Sequence, residues 1–139
     1  MTNTCLLIDD DRDEYLLFES ALKEVNPAIA FYMETSGSRA IEKLRTNAGC
    51  IPKVIFLDLN MPEADGRYVL AELKKIDRLK EVPVVIYSTS SNPAHVDETR
   101  QLGSAGYIVK PSRFEELVKK LTGALDNITR SNNYFFYGL

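Results

Sequence analysis

Side chains that could do chemistry stand directly after four of the five apolar runs in this sequence. They are Asp9, Asp10 and Asp11 after the first run, Asp58 and Asn60 after the third, Ser88 after the fourth and Lys110 after the fifth. If the runs are strands of one parallel sheet, these side chains meet at the edge where open sheets bind ligands. Converging carboxylates repel one another unless a cation joins them. A few carboxylates, a backbone carbonyl and retained waters suit Mg²⁺, so the pattern predicts a site for a divalent cation.

The same edge has the groups needed to bind a phosphoryl anion. Its oxygens could be bound by the cation, the Lys110 ammonium and the Ser88 hydroxyl. An Asp carboxylate can itself be the nucleophile toward phosphorus. Asp58 is the best-placed candidate, because it stands alone at the end of the central run.

Each of these residues taken singly also has an ordinary structural explanation. The three successive acids could cap the next helix, and Asp58 could begin a turn. Ser88 could cap a helix, and Lys110 could be a solvated lysine. Capping does not explain why all of them follow the ends of four different runs, so the joint placement favours a functional site.

The elements that position these residues alternate along the chain. The apolar runs are residues 5–8, 29–33, 54–57, 84–87 and 106–109. They are nearly continuous rather than alternating, as in strands buried on both faces. Amphipathic helical segments lie between them, and in the first segment Leu17, Ala21 and Val25 share a face. This βα rhythm predicts a parallel sheet covered by helices on both sides.

Composition narrows the class of protein. The 139 residues carry a net charge of −3, and 45% of them are hydrophobic. The acidic balance argues against nucleic acid as the main partner. Two cysteines outside any C-x-x-C pair argue against a disulfide framework, and a single histidine argues against a histidine metal site. The apolar runs are too short to cross a membrane, so we expect one domain in the cytoplasm.

Four motifs, in order, closely resemble the receiver domain of bacterial two-component response regulators. They are LLIDDD, VIFLDLNMPEADG, PVVIYSTS and GYIVKP. The resemblance covers roughly residues 3 to 127, nearly the whole chain. It implies an α/β, flavodoxin-like (βα)5 sandwich with a five-stranded parallel sheet in the order 2-1-3-4-5.

The resemblance also implies a role for each site residue. Asp58 would be the phosphoacceptor, and Lys110 and Ser88 would assist the transfer. The ligands of Mg²⁺, or of Mn²⁺, would be Asp9, Asp10, Asp58 and the backbone carbonyl of Asn60. Ser88 and Tyr107 would form the conformational switch, with Tyr107 turning inward after phosphorylation. The peptide bond between Lys110 and Pro111 would be cis, as is typical of the family.

The implied function is that of a single-domain response regulator rather than an enzyme. A sensor histidine kinase or phosphotransfer protein would donate the phosphoryl group, and slow autodephosphorylation would reset the domain. A downstream protein would bind the face formed by helix 4, strand 5 and helix 5. We expect a receiver domain over residues 1–127 and an aromatic tail over 128–139, with no separate output domain. We expect the tail to contact its own domain or the other subunit of a homodimer.

Three other functions compete with this interpretation. A Mg²⁺-dependent aspartyl-phosphate phosphohydrolase normally has a second Asp two residues after the nucleophile, where this chain has Asn60. A flavodoxin-type cofactor binder needs a phosphate loop after strand 1, where this chain has three acids. A degenerate receiver that acts by constitutive contacts is disfavoured, because no site position is lost. Tyr107 could also be a packing residue rather than a switch.

Overall fold

The computed structural model describes residues 3–46, 51–130 and 135–138, which form one parallel sheet with helices on both faces. The strands are β1 (Thr4–Ile8), β2 (Ala30–Glu34), β3 (Val54–Leu57), β4 (Val84–Ser88), β5 (Gly106–Val109) and β6 (Phe136–Tyr137). The helices are α1 (Glu14–Val25), α2 (Gly37–Thr46), α3 (Gly66–Lys74), α4 (Pro93–Gln101) and α5 (Phe114–Thr129). A short 3-10 helix covers Asp77–Leu79. None of these helices has the length and apolar composition needed to cross a lipid bilayer.

The sheet order is β2-β1-β3-β4-β5-β6, and every neighbouring pair is parallel. The predicted order 2-1-3-4-5 is therefore confirmed. Every residue of β3 and β4 is buried, as the continuous apolar runs predict for central strands. The sixth strand was not predicted. It comes from the aromatic tail, which packs on its own domain, while Tyr134 lies outside the described residues.

Alternate strand residues enter two separate cores. One core packs the sheet against α2 and α3 through residues such as Ile41 and Leu70. The other packs it against α1 and α5 through residues such as Phe18 and Leu121. Each fully buried side chain of this size contributes about 1.5–3 kcal/mol to folding. The sheet is thus packed on both faces, and these two cores support the edge that carries the acids.

The predicted inward face of α1 is right at Ala21 and at Val25, which both pack on the core, and wrong at Leu17. The buried residues of the helix are Phe18, Ala21 and Leu22, whereas Leu17 is 39% exposed. The Phe18 ring packs within 5.1–5.4 Å of three aromatic rings, those of Phe31, Phe56 and Tyr87. This aromatic cluster determines the rotation of the helix, because burying Phe18 removes more apolar area from water than burying Leu17.

Candidate functional site

Three carboxylates meet at the carboxyl edge of the sheet. Ile8 pairs with Leu57 between β1 and β3, so the residues that follow them, Asp9 and Asp58, leave the sheet side by side. Carboxylate oxygens of Asp9, Asp10 and Asp58 all lie within 4.8 Å of one another. Asp9 has no exposed surface and Asp58 is 5% exposed, whereas Asp10 is open to solvent. This is the oxygen-rich, half-open donor set that a hard divalent cation prefers.

The cluster carries more negative charge than its surroundings compensate. Burial first, and the charge of Asp9 second, raise the pKa of Asp58 from 3.8 to about 6. The charge of Lys110 lowers this pKa, but not enough to offset the two causes that raise it. A cation among the carboxylates would favour the ionised form of Asp58, which is the nucleophilic form.

Lys110 is the ammonium group of the site. Its Nζ donates to Oδ2 of Asp9 at 2.7 Å and lies 4.0 Å from Oδ1 of Asp58. Burial lowers the pKa of Lys110, but the hydrogen bond and charge of Asp9, with the charges of Asp58 and Glu14, raise it above its usual value overall. Lys110 therefore stays protonated and can bind an anion.

Sequence reasoning missed Glu14, which lies beside this ammonium group. Its Oε1 is 3.7 Å from Nζ of Lys110, and its Oε2 accepts a hydrogen bond of 3.3 Å from the hydroxyl of Tyr87. Burial raises the pKa of Glu14. The available signal was its position at the start of α1, directly beyond the first acidic loop, because that helix end points at the same edge of the sheet.

The Ser88 hydroxyl is the polar group that the end of β4 brings to this edge of the sheet. Ser88 is fully buried at the end of β4, and its Oγ accepts from the backbone N–H of Ser90 at 3.2 Å. The side-chain amide of Asn60 donates to the same oxygen at 3.5 Å, and the backbone N–H of Asn60 donates to Oδ1 of Asp58 at 3.4 Å. Asn60 thus joins the ends of β3 and β4, while its carbonyl as a metal ligand stays a prediction.

Tyr107 lies inward and is 1% exposed, while its role as a switch residue stays a prediction. Its hydroxyl donates to the backbone carbonyl of Ser90 at 2.8 Å. Oγ of Ser90 in turn lies 2.6 Å from Nδ1 of His95, the first-turn residue of α4. These hydrogen bonds connect β5 and α4 through the loop that begins at Ser88.

The bond between Lys110 and Pro111 is trans, because the described residues contain no cis peptide bond. The expectation of a cis bond was therefore wrong. The two isomers of a bond to proline differ by only about 0.5–1 kcal/mol, so the surrounding chain decides which one forms. Here the backbone N–H of Lys110 donates to the Ser88 carbonyl at 2.7 Å, which holds the end of β5 against β4.

Gly66 lets α3 begin directly against the loop that carries Asp58. Its N–H donates to the Leu59 carbonyl at 3.0 Å. A Cβ at this position would lie 2.5 Å from the backbone oxygen of Asp58 and 2.5 Å from Cα of Leu59. Both neighbours are backbone, so only glycine fits without moving the loop.

Comparisons with known proteins agree with this geometry. Residues 5–122 match the family described as the response regulator receiver domain. The chain is 32% identical over 122 residues to the response regulator Rcp1 of Synechocystis, which covers 85% of this chain and 83% of Rcp1. It is 31% identical over 116 residues to the chemotaxis protein CheY1 of Helicobacter pylori, covering 84% of this chain and 91% of CheY1.

Solved structures are similar over nearly the whole fold. The phosphorylated cyanobacterial phytochrome response regulator RcpA superposes with a TM-score of 0.82 at 29% identity, covering 93% of this chain and 95% of RcpA. The Mn²⁺-bound form of Rcp1 superposes with a TM-score of 0.75 at 31% identity, covering 86% and 89% of the two chains.

Proposed function

This chain belongs to the response regulator receiver domain family, and from that premise we propose that Asp58 is its phosphoacceptor. Receiver domains are signalling modules, so phosphoryl acceptance is the activity that the family shares. The observation that carries the proposal is the convergence of the Asp9, Asp10 and Asp58 carboxylates within 4.8 Å, with the Lys110 ammonium 4.0 Å from Asp58.

A divalent cation, Mg²⁺ or Mn²⁺, fits the donor set of the site. Its protein ligands would be Asp9, Asp10, Asp58 and the backbone carbonyl of Asn60. The raised pKa of Asp58 supports this assignment, because burial and the charge of Asp9 both disfavour its ionised form and Lys110 does not offset them. The Mn²⁺-bound form of Rcp1 supports it as well. When bound, the cation would offset the negative charge of the phosphoryl oxygens.

Phosphoryl transfer would take place between a phosphohistidine of the donor and the Asp58 carboxylate. A carboxylate oxygen of Asp58 attacks phosphorus and forms an acyl phosphate. The bond between phosphorus and the imidazole nitrogen of a phosphohistidine breaks, and the imidazole takes a proton from solvent as it leaves. The Lys110 ammonium, held by Asp9 at 2.7 Å, stabilises the oxygens of the transferred group.

We propose that the donor is a sensor histidine kinase or a phosphotransfer protein, and that the readout is a change in the face formed by α4, β5 and α5. The Ser88 hydroxyl would turn toward the phosphoryl group and alter the loop whose carbonyl at Ser90 accepts from Tyr107. Two hydrogen bonds support this proposal, because the backbone N–H of Ser90 donates to Ser88 and the carbonyl of Ser90 accepts from Tyr107. A movement of the Ser88 hydroxyl would therefore alter the position of Ser90 and, through it, the hydrogen bond of Tyr107. A phosphoryl group that favours one of two loop arrangements shifts the population of both.

The test is intact-mass spectrometry after incubation with acetyl phosphate and Mg²⁺. We expect one added phosphoryl group on the wild-type chain and none on Asp58→Asn. The matched control is Asp11→Asn, because Asp11 is a neighbouring acid outside the carboxylate cluster. We expect that control to label like wild type, and EDTA to abolish labelling of both.

Two outcomes would contradict the proposal. Labelling of Asp58→Asn at the wild-type rate would place the acceptor elsewhere. An unmodified wild-type chain that also fails to bind beryllofluoride with Mg²⁺ would identify a degenerate receiver that acts by constitutive contacts.

A further inference from the structure

The last described residues of the chain, 135–138, lie along the outer edge of β5. Phe136 and Tyr137 form β6, which pairs in parallel with Gly106 and Tyr107. The backbone N–H of Phe136 donates to the carbonyl of Ala105 at 3.3 Å. The open edge that a five-stranded sheet would present there is therefore filled by the chain itself.

The absence of a side chain at Gly106 creates the slot for Phe136. A Cβ on Gly106 would lie 2.4 Å from Cε2 of the Phe136 ring. The ring fills that space and is only 8% exposed, as part of the core that includes Leu121 and Leu125 of α5. The edge of β5 therefore accepts an aromatic ring at one defined position.

The residues on both sides of Phe136 also meet specific partners. The guanidinium of Arg100, in α4, lies 5.2 Å from the centre of the Phe135 ring. The Tyr137 ring packs edge-to-face on Tyr107, with centroids 5.9 Å apart at 78°. Three successive aromatic side chains thus contact α4, β5 and the proposed switch residue.

The attachment is nevertheless short and half open to solvent. The strand has two residues, and Tyr137 is 49% exposed. Nothing lies within 4 Å of the position where a Cβ of Gly138 would be. Strand addition to a sheet edge draws affinity from main-chain hydrogen bonds and specificity from side-chain pockets. Another extended segment with a suitable aromatic residue could make the same bonds.

We propose that the outer edge of β5 is an acceptor site for an extended aromatic segment, and that a protein partner carrying such a segment binds by displacing residues 135–138. The acceptor site lies on the face formed by α4, β5 and α5. Identifying its partner with the downstream protein of the signalling pathway rests on the proposed function. Strand exchange at this edge needs no phosphoryl group. The test below can therefore fail while the phosphoacceptor function holds.

The experiment measures amide hydrogen exchange of β5 in the full chain and three variants. Phe136→Ala removes the ring from the slot, and Gly106→Ala fills the slot from the other side. We expect both to speed exchange of residues 105–109 about tenfold. Tyr68→Ala is the control, since it removes an aromatic ring that is 58% exposed on α3, and we expect no change in β5. Far-UV circular dichroism checks that each variant keeps its fold.

A synthetic copy of residues 131–139 then serves as the probe for the displacing segment. We expect the peptide to restore slow exchange in Phe136→Ala, where the slot is empty. It should have no effect in Gly106→Ala, where the added Cβ blocks the slot. A peptide with alanine in place of Phe136 should fail in both variants.

Three results would overturn the inference. One is wild-type exchange in both variants, which would mean that β6 does not protect β5. A second is failure of the peptide in a folded Phe136→Ala variant. The third is a wild-type chain whose light-scattering mass doubles with concentration and whose β5 exchange slows in parallel, because the occupant would then be the tail of a second copy.

Discussion

Nζ of Lys110 lies 2.7 Å from Oδ2 of Asp9, although the two residues are 101 positions apart in the sequence. The Asp9 carboxylate has no exposed surface, so this ammonium group is its direct compensation. Lys110 is farther from Asp58, at 4.0 Å. The Lys110 ammonium therefore compensates mainly the charge of Asp9. It leaves the Asp58 carboxylate undercompensated and available for a cation and for phosphorus.

Replacing Lys110 should reveal how much the buried Asp9 depends on it. We expect Lys110→Met to lower the free energy of unfolding by about 2–4 kcal/mol in EDTA, because a buried carboxylate loses its hydrogen-bonded cation. Mg²⁺ should restore more stability to this variant than to wild type. Urea denaturation with and without Mg²⁺ measures both effects.

The control for this experiment is Lys75→Met. Lys75 pairs with Glu72 on the surface, where its side chain is 72% exposed, and such pairs contribute little to stability. Equal losses of stability in the two variants would show that the pair of Lys110 and Asp9 is not a buried, dependent pair.

The raised pKa of Asp58 predicts a defined pH dependence of stability in the absence of metal. The pKa is 3.8 for an ordinary Asp and about 6 here, so between these values the folded state holds a proton that the unfolded state releases. The contribution of Asp58 to stability should therefore fall as pH rises through that window. Asp58→Asn removes this loss and should be more stable than wild type at neutral pH, by up to about 3 kcal/mol.

Urea denaturation across the same pH range, in EDTA, tests this prediction. The difference between Asp58→Asn and wild type should vanish near pH 4. Asp77→Asn is the control, since its side chain is 88% exposed, and its difference from wild type should not change with pH in this way. If Asp58→Asn gained no stability relative to wild type between these pH values, Asp58 would not be in the buried, undercompensated state.

The sequence predicted the sheet and the edge at which the acids meet, because both depend on patterns that neighbouring residues reveal. Continuous apolar runs identify buried parallel strands, and polar residues at their ends mark the binding edge. The fold brings Asp9, Asp10 and Asp58 together and places Lys110 beside them, while their roles in binding and transfer stay predictions.

The sequence did not predict the features that depend on packing between distant segments. The slot for Phe136 exists because Gly106 has no side chain. A single glycine adds nothing to the hydrophobic periodicity from which strands and helices are predicted. The rotation of α1 follows from aromatic contacts that Phe18 makes with β2, β3 and β4. Glu14 joined the site only once the end of α1 was placed in space.

Tyr107→Phe should separate the hydrogen bond of this residue from its ring packing. The hydroxyl bonds to the Ser90 carbonyl at 2.8 Å, and its loss should lower stability by about 1 kcal/mol. We expect faster amide exchange in residues 89–92 and unchanged labelling of Asp58 by acetyl phosphate. Tyr137→Phe is the control, because Tyr137 is half exposed. Unchanged exchange in Tyr107→Phe would make Tyr107 a packing residue only.

Gly66→Ala should damage the site without touching any of its charged groups. The new Cβ would lie 2.5 Å from the Asp58 carbonyl oxygen, and the backbone there cannot rotate away as a side chain can. We expect a loss of about 1–3 kcal/mol of stability from overpacking. Displacement of the acceptor loop should slow labelling by acetyl phosphate at least about tenfold.

A second glycine variant distinguishes a displaced site from a merely weaker fold. Gly103 has a φ of +102° and only the Lys74 stem near its Cβ position, at 3.5 Å or more. Gly103→Ala should therefore cost about 1 kcal/mol through backbone strain alone. Gly103 lies between the end of α4 and the amino end of β5, so it is at the opposite edge of the parallel sheet from the acids. The labelling rate of Gly103→Ala should therefore equal that of wild type. If Gly103→Ala slowed labelling as much as Gly66→Ala does, lost stability rather than a shifted Asp58 would explain both rates.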